Sequence, residues 1–85
     1  QVAVITVEPG ASAEDVASYL SVPIGRELRT LDGVRKVTST SKDGVSVVIA
    51  EFEYRKKIDE AATEVSNALS RVAPKLPREA LTPQV

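Results

Sequence analysis

The stretch VRKVTSTSKDGVSVVIAEFEY, residues 34–54, holds two β-rich runs joined through Lys42, Asp43 and Gly44. An Asp-Gly pair between such runs is a strong hairpin signal, because glycine takes the backbone conformations that a tight turn demands. Side chains alternate across a strand, so Val48, Ala50 and Phe52 share one face while Val47, Ile49, Glu51 and Glu53 share the other. The first of these faces needs a cover, and the flanking sequence supplies two.

Upstream, VAVITVE at 2–8 reads as a strand that Pro9-Gly10 stops. Ser12 is a good helix N-cap, Glu14 and Asp15 place negative charge in the first turn, and Asp15 stands where a capping-box acid would. Val16, Leu20, Ile24, Leu28 and Leu31 then recur at spacings of four, four, four and three, an apolar stripe along one helix face. Pro23 cannot donate to the Tyr19 carbonyl, which predicts a kink or short break there, and Gly25 loosens the same turn. Asp32-Gly33 ends the helix, with Gly33 suited to the left-handed position.

Downstream, a second helix is predicted from about Ile58 to Ala73, with Asp59 capping or favouring its start and Pro74 stopping it. Ile58, Ala61, Ala62, Val65, Ala68, Leu69 and Val72 form its apolar stripe; Asp59, Thr63, Asn67 and Ser70 lie opposite. Residues 74–85 are proline-rich and read as an irregular connector. The order β-α-β-β-α is that of an α+β, ferredoxin-like split βαβ unit whose fourth strand is missing or truncated, with both helices on one face of an antiparallel sheet. Residues 1–85 make one such subdomain. Its other sheet face, with Val47 and Ile49, is left to solvent or a partner.

Composition narrows the function. Eighty-five residues bury roughly 60 to 65% of their unfolded surface, enough for one modest core. Eleven Lys and Arg against twelve Asp and Glu leave a net charge of −1, so there is no basic field for nucleic acid or an anionic membrane. Cysteine and histidine are absent, which removes disulfides, thiolate chemistry, the usual zinc sites and the commonest general base. The sequence shows no leader-like segment and no stretch of about 18 apolar residues, so it reads as a soluble part, excised if its parent is a membrane protein.

No catalytic residue, metal ligand or cofactor site is assigned, and the chain is read as a non-enzyme. Glu51 and Glu53 read as a solvated edge beside Arg55, Lys56 and Lys57, and no loop has calcium-ligand spacing. The strands predicted to be central lack the aromatic residues on which RNA bases stack. Backbone N–H groups after Pro9-Gly10 could face an anion, but Ser12, Glu14 and Asp15 already satisfy or repel at that spot, so the turn is read as a corner. A small acyl phosphate hydrolase of this topology would need an anion loop with a dedicated Arg and a neighbouring Asn, and no such pair is found.

Taken in order, VEPGASAEDV, LRTLDGVRKVTSTSKDGVSVVIAEFE and IDEAATEVSNALSRVAPKLP resemble the first porter subdomain of resistance-nodulation-division (RND) efflux transporters over nearly the whole chain. The most specific parts are PGASAEDV, LDGV before a Ser/Thr-rich strand, the EFE strand end and the closing APKLP. The chain departs from the family in lacking an aromatic between Glu8 and Pro9 and a glycine in the 55–57 loop. The resemblance implies the periplasmic part of an inner-membrane, proton-driven exporter, nearer to the amphiphile exporters than to the heavy-metal branch. It implies as partners the other subunits of a homotrimer, the remaining porter and membrane domains, a periplasmic adaptor and an outer-membrane channel. Asp59, Thr63, Asn67, Ser70 and Pro74 match the family's pore-lining helix, and Thr38 and Ile49 match its substrate pathway. The rival reading is a free-standing ferredoxin-like interaction or regulatory module. A missing fourth strand would leave 2–8 as an open edge through which the isolated fragment dimerises.

Overall fold

The strand β1, Val2–Val7, leaves the sheet at Pro9-Gly10, and the chain enters the first helix directly after Ser12. The structure, a computed structural model, describes residues 1–85. The first helix has three consecutive stretches: Ala13–Val16 is α, Ala17–Ser21 is π and Val22–Arg29 is α again. β2 (Val34–Lys42) and β3 (Val45–Phe52) form the hairpin, and the second helix is Ile58–Val72, followed by a 3-10 turn at Ala73–Lys75. The three strands are antiparallel in the order β1-β3-β2, an α+β arrangement of split βαβ type.

One contact caps the first helix locally and three lock the corner to the hairpin turn. Ser12 Oγ accepts from the Asp15 N–H at 3.2 Å, while Asp43 Oδ1 accepts from the Ala13 N–H at 2.8 Å, capping the helix from thirty residues away. The Glu8 N–H donates to the Gly44 carbonyl at 2.8 Å, and the Gly44 N–H to the Ala11 carbonyl at 2.9 Å. Gly44 has φ +75°, and a Cβ there would stand 3.3 Å from the Glu8 carbonyl oxygen. The helix N–H groups at Ala13, Asp15 and Val16 are therefore occupied from within the chain, which favours the corner reading over an anion cradle.

Pro23 produces the expected irregularity in a definite form. Lacking an N–H for the Tyr19 carbonyl, it sits just past a widened turn in which the Val22 N–H donates to Ala17, five residues back. The stripe survives: Val16, Leu20, Ile24 and Leu28 are fully buried and Leu31 packs on the core. Truncating one of these Leu or Ile residues to Ala costs about 2–5 kcal/mol, a large share of the 5–15 kcal/mol typical of a domain. The exposed Arg71–Glu27 ion pair between the helices, at 2.6 Å, contributes only about 0.2–1 kcal/mol.

One row across the sheet is polar. Thr6, Ser46 and Ser41 stand opposite one another on β1, β3 and β2, with Ser21 above them. Ser21 Oγ lies 2.7 Å from Ser41 Oγ and 2.8 Å from Ser46 Oγ, whereas the buried Thr6 Oγ1 has no partner. The contiguous core of eleven residues, from Val2 and Val4 through Ile24 and Leu28 to Val72, includes neither Val16 nor Leu20.

Three expectations are corrected. Ile58 is 61% exposed, because at the first helical position it projects beyond the sheet; the buried stripe begins at Ala61. Asp59 does not cap, since the N-cap is Lys57 with no side-chain bond, but it stands with Glu60 in the first turn, where its charge favours the helix start as expected. The tail also covers much of β1: the Leu81 N–H donates to Val7, and Gln84 exchanges both backbone bonds with Ile5, each at 2.8 Å. Pro83 falls where this short pairing asks for no N–H, so the proline does not prevent it. By strand alternation Ala3 and the Val7 N–H are left unpaired on that side, so the edge on which dimerisation rested is partly covered.

Two substitutions test this construction by urea denaturation. Asp43→Ala should lower stability by about 1–2 kcal/mol through loss of the distant cap. Gly25→Ala should raise it by about 0.5–1 kcal/mol, since its Cβ would meet only Val37 Cγ1, at 3.8 Å, and the helix gains a better former.

Candidate functional site

The hairpin register sets one half of the candidate site. Asp43-Gly44 closes a two-residue turn between the partners Lys42 and Val45, so the pairs behind it fall as Thr40 with Val47 and Thr38 with Ile49. On the other side of β3, Ala3 faces Ile49 and Ile5 faces Val47. Thr38 and Ile49 are thus direct cross-strand neighbours, on the sheet face opposite the helices. Val45, Val47 and Ile49 are half-buried, and Ile5 is 45% exposed. This face is a short apolar strip bordered by two threonines.

Charge closes the strip at one end. Val34 pairs with Phe52 and Lys36 with Glu51, so Arg35 is an extra residue in β2, a bulge that breaks the alternation there. Arg35, Lys36 and Glu51 line a groove of about 350 Å³, where Glu51 Oε1 also accepts from Gln1 Nε2 at 3.4 Å.

The other half lies on the second helix. Asp59, Thr63, Asn67, Ser70 and Pro74 are all exposed, on the side away from the buried Ala61, Val65, Ala68, Leu69 and Val72. Thr63 Oγ1 donates to the Asp59 carbonyl at 3.0 Å and Ser70 Oγ to the Ser66 carbonyl at 3.3 Å, so these hydroxyls turn back on their own helix. The Asn67 amide and the Asp59 carboxylate make no side-chain hydrogen bond within the chain. The sheet strip and the helix stripe are on opposite sides of the subdomain, two surfaces and not one cleft. No group of three carboxylates converges in a way that could hold a metal ion, and no helix is long and apolar enough to cross a membrane.

Lys56, which no sequence motif marked, positions the helix half. Its Nζ pairs with Glu64 at 2.6 Å and sits 5.9 Å from the centre of the Phe52 ring, and its stem lies where a Cβ on Gly33 would come within 3.5 Å. One side chain thus joins the end of β3, the loop after the first helix and the second helix. Unlike the exposed Arg55 and Lys57 on either side, Lys56 is drawn onto the fold. Its signal was faint because Lys56 and Glu64 are eight residues apart, with a loop and a helix start between them.

A family model described as the AcrB/AcrD/AcrF family matches residues 1–85. The chain belongs to this family, of RND efflux transporters. It is 40% identical over 80 residues to the swarming motility protein SwrC of Bacillus subtilis (strain 168), covering 94% of this chain and 7% of that protein. It is 39% identical over 69 residues to the multidrug resistance protein MdtC of Edwardsiella ictaluri (strain 93-146), covering 81% of this chain and 7% of that one. The crystal structure of a heavy metal efflux pump superposes with a TM-score of 0.87 at 24% identity, over 96% of this chain and 8% of that chain, and shares the fold. The chain therefore spans about 7% of the length of the curated family members it matches.

The Lys56–Glu64 pair carries a pH signature. The hydrogen bond to Glu64 holds the ammonium above its ordinary pKa of 10.5, against a smaller opposing effect of desolvation. A raised lysine pKa stabilises the fold fully below the unfolded value, and the gain is lost as pH climbs through the folded one. Thermal melting should find Glu64→Gln less stable than the parent at neutral pH, with the gap closing above pH 10.5.

Proposed function

We propose that the chain is an extracytoplasmic porter subdomain of a proton-driven RND efflux pump, helping to form the substrate pathway and the trimer centre for export of drugs or other amphiphiles. The observation that carries this reading is the family match along all of residues 1–85. Likeness to the multidrug resistance protein MdtC supports a drug cargo. In this reading the segment is the periplasmic part of an inner-membrane protein. It works beside two further copies of itself, the remaining porter and membrane domains, a periplasmic adaptor and an outer-membrane channel. It is a conduit with no catalytic role of its own.

The chemistry of the two surfaces suits these tasks. Thr38 and Ile49 form a weakly polar, apolar-backed pair on the sheet, able to accept a greasy cargo with an occasional hydrogen bond and no strong affinity. A conduit needs such weak contacts, because a tightly held cargo would not move on. On the helix, Asn67 offers both donors and an acceptor from an otherwise unpaired amide, so three copies around an axis can bond head to tail. Asp59, Thr63 and Ser70 continue that stripe along the helix and Pro74 extends it into the 3-10 turn, with the Thr63 and Ser70 hydroxyls bonded back to their own helix.

The test uses the whole transporter in cells stripped of other exporters. Asn67→Leu should reduce trimer yield or drug resistance while the far-ultraviolet circular dichroism of the purified protein stays unchanged. Ile49→Asp should change the pattern of drugs tolerated more than it changes trimer yield. Parental resistance and trimer yield in both variants would reject the assignment, and loss of folding in Asn67→Leu would make that residue part of the packing.

A further inference from the structure

The row Thr6, Ser46, Ser41 with Ser21 above it has no part in the surfaces just described, and three observations converge on it. First, the contiguous apolar core stops at this row: Ile24 and Leu28 belong to it, but Val16 and Leu20, also fully buried, do not. Second, Ser21 is the last residue of the widened π turn, Ala17–Ser21, so the helix is irregular where it crosses the row. Third, the hydroxyls are one partner short of a full set. Ser21 bonds both Ser41 and Ser46, and Thr6 Oγ1, opposite Ser46 in the β1–β3 register, is buried with nothing to bond.

We propose that this row is a hinge line built into the subdomain. On one side stands the corner end, residues 8–21 with the hairpin tip 41–45, tied together by the Asp43, Gly44 and Ser12 contacts. On the other stands the contiguous core. When the corner end tilts, the Ser46 hydroxyl turns from Ser21 to Thr6, which lies within cross-strand reach. One hydrogen bond is broken and one is made, so the bonds in the row stay at two and Thr6 gains the partner it lacks. A purely apolar seam would lose contact area without compensation, and a fully paired polar seam would lose a bond. The π turn lets the helix follow, since a wide turn can take up a change in pitch without opening its ends.

Hydrogen exchange read by mass spectrometry on the intact transporter containing this chain tests the hinge. Thr6→Val keeps the shape and removes the reserve partner, so amides 17–21 should exchange about fivefold more slowly, the ratio set by one net hydrogen bond. Amides 61–72 should not change. Ser21→Ala removes the partner that Ser46 has in the untilted state, so exchange at 17–21 should rise, and adding Thr6→Val should bring it back down. Unchanged or faster exchange at 17–21 in Thr6→Val would overturn the hinge. So would a rise in Ser21→Ala that persists when Thr6→Val is added, because Ser46 would then not be turning to Thr6.

Discussion

The bond from the Ala13 N–H to Asp43 Oδ1 is short, local in space and remote in sequence, and it ties the start of the first helix to the hairpin that carries Thr38 and Ile49. Asp43 is held in a two-residue turn by Gly44, whose own backbone is bonded to Glu8 and Ala11. The turn that fixes the hairpin register is thereby the object that fixes where the first helix starts. A shift of the hairpin by one residue would carry Thr38 and Ile49 to the helix side of the sheet and remove the cap at the same time. Two independent costs guard one register.

Much of the fold follows from periodicity that the sequence displays openly. The spacing of Val16, Leu20, Ile24 and Leu28 is the spacing of a buried helix face, and all four are fully buried. The β3 alternation likewise separates Val48 and Ala50, which are buried, from Val47 and Ile49, which are only half so. Gly33 and Gly44 both have positive φ, where a side chain would be strained, so turn chemistry marked them correctly. These are properties of neighbours in the chain, and a linear reading detects them.

The features that escaped that reading are of another kind. Asp43 as a cap, Lys56 as a clasp and the tail along β1 each join residues that only tertiary structure brings together. The tail is the instructive case. Prolines argue against a strand, yet a pairing needing donors only from Leu81 and Gln84 leaves Pro83 nothing to violate. Ile58 failed for the opposite reason: it keeps the period of its helix but stands one turn ahead of the sheet that would cover it. Periodicity tells which face a residue lies on and is silent about whether a neighbour reaches it.

The same distinction applies to the candidate surfaces. That Thr38 and Ile49 share the uncovered face was legible from alternation, whereas their direct pairing required the register. The stripe from Asp59 to Pro74 was legible as polar, but the sequence did not show that Thr63 and Ser70 spend their hydroxyls on their own helix while Asn67 keeps its amide free. Exposed polar residues are common, and most are indifferent to what surrounds them. An exposed amide with no internal partner, on a helix clamped at one end by Lys56–Glu64 and bridged to the first helix by Arg71–Glu27, is presented in a fixed position. Fixed presentation lowers the ordering cost of any contact such a group makes.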